Sequence, residues 1–425
     1  MITTKTRKLS LRCFPAIWIL TAFIIVFLSS EIHAQRRGNI FPGLVLRHYL
    51  IANGPDGPIH GGESAVTGMI LMNDNWVYGS TEATWGAKSC HLFRTDGEKA
   101  EHVLNVTDKL PGQPKISDLA LGPDNVLVGG TTTYNEDFDS AKKSYEGGHL
   151  FTYDPKTTAF VDLGIMSEGQ GINCVAVDRL YTRIYCVTYP EGHLLAYNYQ
   201  TKQKKDFGEV MKRWRVKDMG RVSWRGVPKV LIITDEGTVY FSTYIGQKGG
   251  RIFRLVHGDE KPVFTGAVVP TQAGMDDDPL YENGIASAIK AQDGGFWCGT
   301  INDGFLFKFY PSTSTVINKG KAFQYWNLRS LAYGGDGRLY MLGGRDYDNS
   351  WLLRYDTMNG SIECLGWPTH TTQMDVICAD QQGRILMAEN LRSSYIWVYG
   401  DSGRLVVKDN ALNVKPGAGG EVREP

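Results

Sequence analysis

A six-residue segment recurs along this chain as HLFRTD at 91–96, HLFTYD at 149–154 and HLLAYN at 193–198. The same spacing of apolar residues returns in RIFRLV at 251–256, FLFKFY at 305–310, WLLRYD at 351–356 and YIWVYG at 395–400. Each copy is rich in aromatic, aliphatic and β-branched residues, which favour β-strands. Self-similarity with a period of roughly 40 to 50 residues is typical of the four-stranded blades of a β-propeller.

Tight polar turns precede each of these segments. They lie at residues 73–75, 122–125, 178–183, 235–237, 292–295, 334–337 and 381–383. The turns and the strand segments therefore agree on a count of seven. Together they predict an all-β fold, a seven-bladed β-propeller that spans residues 40–408.

The two ends of the chain complete this prediction. The last blade lacks sequence for an outer strand, and residues 44–51 are suited to supply it, which would leave no open sheet edge. Residues 1–34 have the basic stretch, apolar run and small-residue stop of a signal peptide, with a membrane anchor as the alternative. Residues 409–425 have too little apolar content to pack and are predicted to be a disordered tail. We therefore expect a secreted or periplasmic protein, with no membrane association after signal cleavage.

Charge and cysteine content narrow the range of partners. Lys and Arg number 45, as do Asp and Glu, so no overall field recruits nucleic acid. We expect a monomer that recognises its ligand locally. Six cysteines follow the signal without a CxxC zinc pattern. Cys174 and Cys186 flank a short hairpin, and whether they form a disulfide depends on the strand register.

The long loops indicate which face carries the function. Residues 131–148, 210–225 and 270–283 exceed the structural minimum, and all three map to the face formed by second-to-third loops and interblade links. His91, His149 and His193 begin successive third strands on that face. They are either ligand-binding groups or part of the repeat consensus that caps a neighbouring blade.

Aromatic and cationic residues share these loops. Aromatic rings stack on sugars and arginine pairs with anions, so the combination suits an anionic polysaccharide. The predicted binding residues are Trp85, His91, Tyr134, Trp214, Arg221 and Trp224. No metal ligands are predicted and any cofactor is unknown. Asp276, Asp277 and Asp278 are a candidate site for a structural Ca²⁺ or another divalent metal, although they lack the alternating ligand spacing and the glycine of an EF-hand loop.

The segments GGHLFTYDPKT from Gly147 and YPEGHLLAYNYQTKQKKDFG from Tyr189 resemble blades of exported bacterial propellers from polysaccharide-degrading systems. The functional relatives that this resemblance suggests are the propeller polysaccharide lyases, of the oligogalacturonate and ulvan lyase types. The resemblance implies β-elimination beside a uronate, with catalytic candidates His149, His193, Tyr189, Tyr244 and Arg225. An arginine would neutralise the carboxylate, while histidine and tyrosine would move the protons.

Two departures from these families concern the chemistry. A second histidine of the ulvan type is replaced by Gly129-Gly130-Thr131, and the clustered histidine metal site of the oligogalacturonate type has no His-x-His here. A non-catalytic glycan- or protein-binding propeller is the main alternative, since propellers host both roles. Glycoside hydrolysis stays open because acidic residues are present, whereas sialidase and GxSxG hydrolase motifs are absent.

Overall fold

The computed structural model describes the chain between residues 47 and 400, all within the compact unit Leu44–Pro425. The described ranges are 47–51, 58–84, 86–134, 145–210, 214–218, 221–225, 227–243, 250–272, 283–323, 327–344, 350–368, 373–390 and 395–400. The predicted signal peptide at 1–34 and the predicted tail at 409–425 lie outside these ranges. Within them, no helix combines the length and the apolar character that a bilayer span requires.

Thirty strands, β1 to β30, make up nearly all the regular structure of the described residues. Most belong to four-stranded antiparallel meanders, called units below. The first unit comprises β2 (Ala65–Leu71), β3 (Val77–Glu82), β4 (His91–Thr95) and β5 (Ala100–Asn105). The second comprises β6 (Lys115–Leu121), β7 (Leu127–Thr132), β8 (His149–Asp154) and β9 (Ala159–Ile165). The third comprises β10 (Gly171–Asp178), β11 (Arg183–Tyr189), β12 (His193–Asn198) and β13 (Lys204–Glu209).

The remaining units follow a hairpin of β14 (Trp214–Asp218) and β15 (Arg221–Arg225). The fourth unit comprises β16 (Ile232–Ile233), β17 (Val239–Ser242), β18 (Arg251–Leu255) and β19 (Val263–Val268). The fifth comprises β20 (Ile285–Lys290), β21 (Phe296–Thr300), β22 (Phe305–Tyr310) and β23 (Thr315–Lys321). The sixth comprises β24 (Asn327–Tyr333), β25 (Leu339–Gly344), β26 (Trp351–Tyr355) and β27 (Ile362–Gly366). The last comprises β28 (Met374–Ala379), β29 (Ile385–Glu389), β30 (Tyr395–Tyr399) and β1 (Arg47–Leu50).

The number of separate sheets differs from the prediction. Five units stand alone as four-stranded sheets, whereas the first two are merged into one eight-stranded sheet. A single residue pair, Glu82 with Lys115, joins β3 to β6 and causes the merger. The all-β, propeller-like arrangement is therefore confirmed, while the described residues show five separate four-stranded sheets rather than seven.

The N-terminal strand pairs where the sequence predicts. β1 runs antiparallel to β30, with Arg47 opposite Val398 and Leu50 opposite Tyr395. The Tyr49 hydroxyl also contacts Thr95 of the first unit. β1 thus supplies the outer strand of the last sheet and also contacts the first unit.

Packing across the second and third strands explains the recurring LF pair and the glycines opposite it. Gly79 faces Phe93, and Gly129 faces Phe151 in the equivalent register of the second unit. A Cβ at Gly79 would lie 2.1 Å from the Phe93 ring, and one at Gly129 would lie 2.2 Å from Phe151. The ring of the third strand therefore occupies space that only glycine leaves open.

Aspartates cap the first-to-second turns that the sequence identifies. The Asp74 carboxylate accepts a hydrogen bond from the backbone N–H of Trp76, and Asp336 accepts one from that of Arg338. The Asp380 carboxylate accepts hydrogen bonds from the backbone N–H groups of Gln382 and Arg384. Side-chain caps of this kind hold a tight turn without help from the rest of the fold.

Hydrogen bonds join most consecutive units near their first strands. Asp118 accepts from the Val175 N–H at 2.9 Å, and Ser242 accepts from the Ile285 N–H at 2.8 Å. The Ser287 hydroxyl donates to the Leu328 carbonyl at 2.7 Å. Further bonds of this kind run from Asn173 to Pro228 and from Ile377 to Ser330. The first strands of most consecutive units also lie in contact with one another.

Arg384 joins the last unit to the first. Its side chain is fully buried; Nε donates to Asp380 at 2.6 Å, Nη2 donates to the Asp96 carbonyl at 2.8 Å, and Nη1 pairs with Glu98. The adjoining apolar core contains Phe93 of the first unit and Leu386 of the last. An ion-pair network and a shared core therefore hold the two ends of the described chain together.

Cys174 and Cys186 do not form a disulfide. The register pairs Cys174 with Val187 and Cys186 with Val175, so the two side chains point to opposite faces of the sheet. Cys174 packs in a core shared with the fourth unit, and Cys186 packs in a core shared with the second. Each of the six described cysteines is a free thiol.

Candidate functional site

His91 belongs to a buried polar chain in the first unit. Its side chain is 8% exposed, and its Nε2 lies 3.0 Å from a Glu63 carboxylate oxygen. Its Nδ1 lies 3.1 Å from Nε2 of His102 on the adjacent strand. Burial alone would raise the pKa of Glu63, but the hydrogen bond from His91 and its charge hold that pKa below the ordinary value. Burial and the neighbouring His91 lower the pKa of His102.

His149 and His193 make matching contacts in the next two units. His149 Nδ1 lies 3.0 Å from the Asp162 carboxylate, and His193 Nδ1 lies 2.9 Å from that of Asp206. Both aspartates sit on the fourth strand and also accept a backbone N–H at 2.7 Å from a glycine two residues later. These glycines, Gly164 and Gly208, have positive φ angles of 88° and 86° at a bulge.

The same bulge recurs without histidine in the fifth unit. There Phe305 begins the third strand and Asn318 accepts the Gly320 N–H at 2.8 Å. Among the described residues, no hydrogen bond, ion pair or ring contact joins His91, His149 and His193 to one another. Each histidine is instead oriented within its own unit, which agrees with the interpretation of the position as part of the repeat. In the second and third units, the pairing of each histidine with an aspartate also has a geometry that is suited to proton transfer.

The tyrosines predicted for the site are tied into the scaffold. Tyr134 donates its hydroxyl to the Ala83 carbonyl, across the junction of the first two units. Tyr189 ends β11, precedes a cis peptide bond to Pro190, and packs against the core between the third and fourth units. Tyr244 and Trp85 lie outside the described residues.

Arg221, Arg225, Trp214 and Trp224 fall on an element that the sequence did not predict. They lie on the hairpin of β14 and β15, where the register places Trp214 opposite Arg225 and Asp218 opposite Arg221. The two strands pair only with each other in the described part of the chain, so the hairpin is an insertion between the third and fourth units. Residues 212–225 contain six Lys or Arg residues and a single Asp.

A set of β-bulges on the first strands was likewise not predicted from the sequence. In β2, β6, β10, β20, β24 and β28 the register shifts by one residue near the strand start. The residue skipped by each shift is partly exposed, whereas the residue before it is buried. The six skipped residues are Thr67, Ser117, Asn173, Ala286, Arg329 and Asp375. We call this set the bulge ring. Short polar residues three positions into a first strand account for only three of the six, Thr67, Ser117 and Asn173.

The charges of the bulge ring are paired. Arg329 Nη1 contacts the Asp375 carboxylate, and the two side chains are 8% and 24% exposed. Gln373 Nε2 donates to Asp375 Oδ1 at 2.6 Å, and Asn390 Nδ2 donates to Oδ2 at 2.5 Å. Burial would raise the pKa of Asp375, but Arg329 and these amides keep it below the ordinary value.

Next to the ring, Lys115 Nζ pairs with Glu82 at 2.6 Å. Asp118 follows Ser117 on β6, and burial raises its pKa to about 7. Among the described residues no group of three or more His, Cys, Asp or Glu side chains is arranged to hold a metal ion. The candidate Ca²⁺ ligands Asp276, Asp277 and Asp278 lie outside the described residues.

Similar solved structures agree on the fold. The extracellular domain of a protein described as a one-component system, BT4673 of B. thetaiotaomicron, matches with a TM-score of 0.52 and 17% identity over 78% of this chain and 38% of that chain. A streptogramin B lyase structure matches with a TM-score of 0.58 and 10% identity, over 85% of this chain and 100% of that one. YCF48 from Cyanidioschyzon merolae matches with a TM-score of 0.53 and 11% identity, over 83% and 98%.

The chain has a propeller fold. It spans about two fifths of the BT4673 chain that it matches. No protein-family model and no curated protein match the sequence. At these identities the resemblance concerns fold alone, and the function has to be argued from the site.

Proposed function

We propose that this protein is an exported β-propeller that binds an anionic polysaccharide on the face that carries its long loops. The observation that carries the proposal is the separate hairpin of β14 and β15, with six basic residues and two tryptophans within residues 212–225. Basic groups recognise carboxylates or sulfates, and indole rings stack on sugars. The overall charge is zero, so the cationic segment is a local feature rather than part of a general basic field.

The proposal includes the architecture and location. We infer that each half of the eight-stranded sheet is a blade in its own right, which makes seven blades. A monomer exported by cleavage after Ala34 fits the signal-like N-terminus, and the extracellular domains of the matching BT4673 structures support that location. N-terminal sequencing of the mature protein should then begin at Gln35, and light scattering should give the mass of one chain.

Affinity electrophoresis and calorimetry with pectate, ulvan, alginate, glucuronan and glycosaminoglycans test the binding. We expect retention by at least one polymer, weakening as salt rises because exposed charges are screened. The double variant Arg221→Ala, Arg225→Ala should lose about tenfold or more in affinity. A matched control is Lys156→Ala with Lys261→Ala, which removes two exposed lysines from third-to-fourth turns on the other face. Equal losses in both double variants would count against the hairpin.

Lyase activity on a uronate polymer is the second candidate. The observation that favours it is the orientation of His149 and His193 by Asp162 and Asp206, an arrangement that general bases use. In the lyase reaction, Arg225 would neutralise the uronate carboxylate, and Tyr189 or Tyr244 would share the proton transfer with the histidines. The substrate-binding set is Trp85, His91, Tyr134, Trp214, Arg221 and Trp224.

Incubation with the same polymers distinguishes binding from catalysis. The readout is the ultraviolet absorbance of the conjugated double bond that β-elimination creates. A lyase would lose about two to four decades of turnover in His149→Ala, the range typical of a lost acid–base group. Retention without any rise in absorbance would support the non-catalytic proposal. Turnover that is unchanged in both His149→Ala and Arg225→Ala would remove these two residues from the chemistry.

A further inference from the structure

The bulge ring has the features of a ligand subsite separate from the hairpin. Its six residues come from six units but share one position, near the start of the first strand. In a β-propeller the first strand of each blade lies nearest the axis, so we place the residues of the bulge ring at the space that these strands surround. The partial exposure of all six residues, beside buried predecessors, agrees with this placement.

The composition of the ring indicates the kind of ligand. Thr67, Ser117, Asn173 and Ala286 have short side chains, and the Asn173 amide already donates to the Pro228 carbonyl. Thr67 bonds to Ser80 at 2.9 Å, and the Ser117 hydroxyl donates to the Gly130 carbonyl at 3.0 Å. A hydroxyl that donates one hydrogen bond still has lone pairs with which to accept another.

The charged residues in and beside the bulge ring argue against an anion as its preferred ligand. The Arg329 guanidinium is already paired with Asp375, and Lys115 beside the ring is paired with Glu82. Asp375 is the more exposed partner at 24%, so the reachable charged group is a hydrogen-bond acceptor that would repel a carboxylate. A ligand with several neutral hydroxyl groups fits this combination of donors and acceptors, because each hydroxyl both donates and accepts.

We propose that the bulge ring binds one neutral sugar residue, at the end of the polysaccharide that the hairpin holds. The link to that polymer rests on the proposed function, whereas the preference for a neutral sugar over a uronate rests on the ring alone. A chain end is inferred because the first strands surround the ring, so a sugar has to enter along the axis. The hairpin then supplies affinity for the anionic groups of the polysaccharide, and the bulge ring selects its terminal sugar residue.

Calorimetry and saturation-transfer NMR with glucose, galactose, mannose, xylose and rhamnose test the ring, with glucuronate and galacturonate as matched anions. We expect millimolar binding of at least one neutral sugar, and weaker binding of the uronates by about tenfold. Ser117→Phe should abolish this binding by filling the ring. Val161→Phe is the control, since Val161 is 48% exposed on β9 and receives the same side chain away from the ring.

A second variant keeps the test informative if Ser117→Phe folds poorly. Asp375→Asn retains an oxygen for one amide donor but leaves the Arg329 charge unpaired, so the preference should move toward the uronate by about tenfold. Binding of uronate as tightly as neutral sugar by the wild type, no binding of any neutral sugar, or an unchanged preference in Asp375→Asn would each overturn the proposal. Polymer retention with no monosaccharide binding would reject the ring alone. Monosaccharide binding with no polymer retention would reject the hairpin proposal alone.

Discussion

Asp118 shows how one side chain can make the stability of this fold depend on pH. Its carboxylate accepts the Val175 N–H at 2.9 Å and the Leu119 N–H at 2.9 Å, so it joins the second unit to the third. Burial nevertheless raises its pKa to about 7. An aspartate in an unfolded chain has a pKa near ~3.9. Between these values the folded state holds a proton that the unfolded state has lost, so this group's contribution falls as pH rises.

We predict that Asp118→Asn flattens the pH dependence of stability. For the wild type, the Asp118 contribution should fall by up to about 1.4 kcal/mol per pH unit between roughly pH 4 and 7. The asparagine variant should lack this slope, although it loses one acceptor for the two N–H groups. Urea unfolding at several pH values measures both. The same Asp→Asn change at the exposed Asp124 serves as the control variant. Identical slopes in wild type and Asp118→Asn would refute the assignment.

Loss of Arg384 should cost much more stability than loss of an exposed arginine. Its buried guanidinium neutralises Asp380, which is 3% exposed, and also pairs with Glu98 of the first unit. Arg384→Met leaves a buried carboxylate without its partner, and we expect a loss of about 3–5 kcal/mol in the free energy of unfolding. Arg338→Met, at a side chain 41% exposed, should cost less than about 1 kcal/mol. Chemical denaturation compares the two, and a similar small loss in both would contradict the role given to Arg384.

At the scale of elements, the third strands and capped turns could be predicted from sequence because their signals are local. The LF pair, the glycine opposite it and the turn aspartate each act within a few residues or across one hairpin. The hairpin of β14 and β15 was missed because its basic residues hide the alternation of strand residues. The bulge ring was missed for another reason: a bulge exists only relative to a partner strand, so its position follows from register rather than from propensity.

The hairpin should be dispensable for folding. Because β14 and β15 pair only with each other among the described residues, replacing residues 212–225 with a Gly/Ser linker of equal length removes no strand from any unit. We predict a change in Tm of less than about 4 °C, because roughly 1 kcal/mol shifts Tm by about 2–4 °C in a domain of about 150–250 residues and by less in a larger one. We also predict loss of polysaccharide retention. Calorimetric unfolding and affinity electrophoresis provide the two readouts. A large drop in Tm would mean that the hairpin belongs to the scaffold.

At the scale of the whole molecule, the fold depends on contacts between the first and last units and the two ends of the described part of the chain. β1 supplies the outer strand of the last sheet, while Tyr49 and Arg384 reach the first unit. The sequence predicted this closure from a missing strand at one end and an unassigned strand at the other. The merger of the first two units could not be predicted, since it depends on the single pair of Glu82 and Lys115.

Removing β1 should therefore affect the whole molecule. A variant that begins at residue 52 leaves β30 with an unpaired edge, and we expect lower thermal stability together with concentration-dependent association. A variant that begins at residue 44 retains the strand and serves as the control. Size-exclusion chromatography over a range of concentrations and thermal unfolding measure the difference. A monomeric, equally stable product without β1 would show that the edge needs no cover.

The free thiols also have a practical consequence for spectroscopy. Five of the six described cysteines are buried, and Cys364 on the outer strand β27 is exposed. A maleimide should therefore attach one probe to the native protein, at Cys364, and reach the other five only when the blades open. The rate at which those five react would report the opening of individual blade cores, because Cys174 and Cys186 lie in different ones. Single Cys→Ser variants would assign each rate to the core in which that cysteine packs, so the sulfur atoms that do not cross-link this protein can measure how independently its apolar cores open.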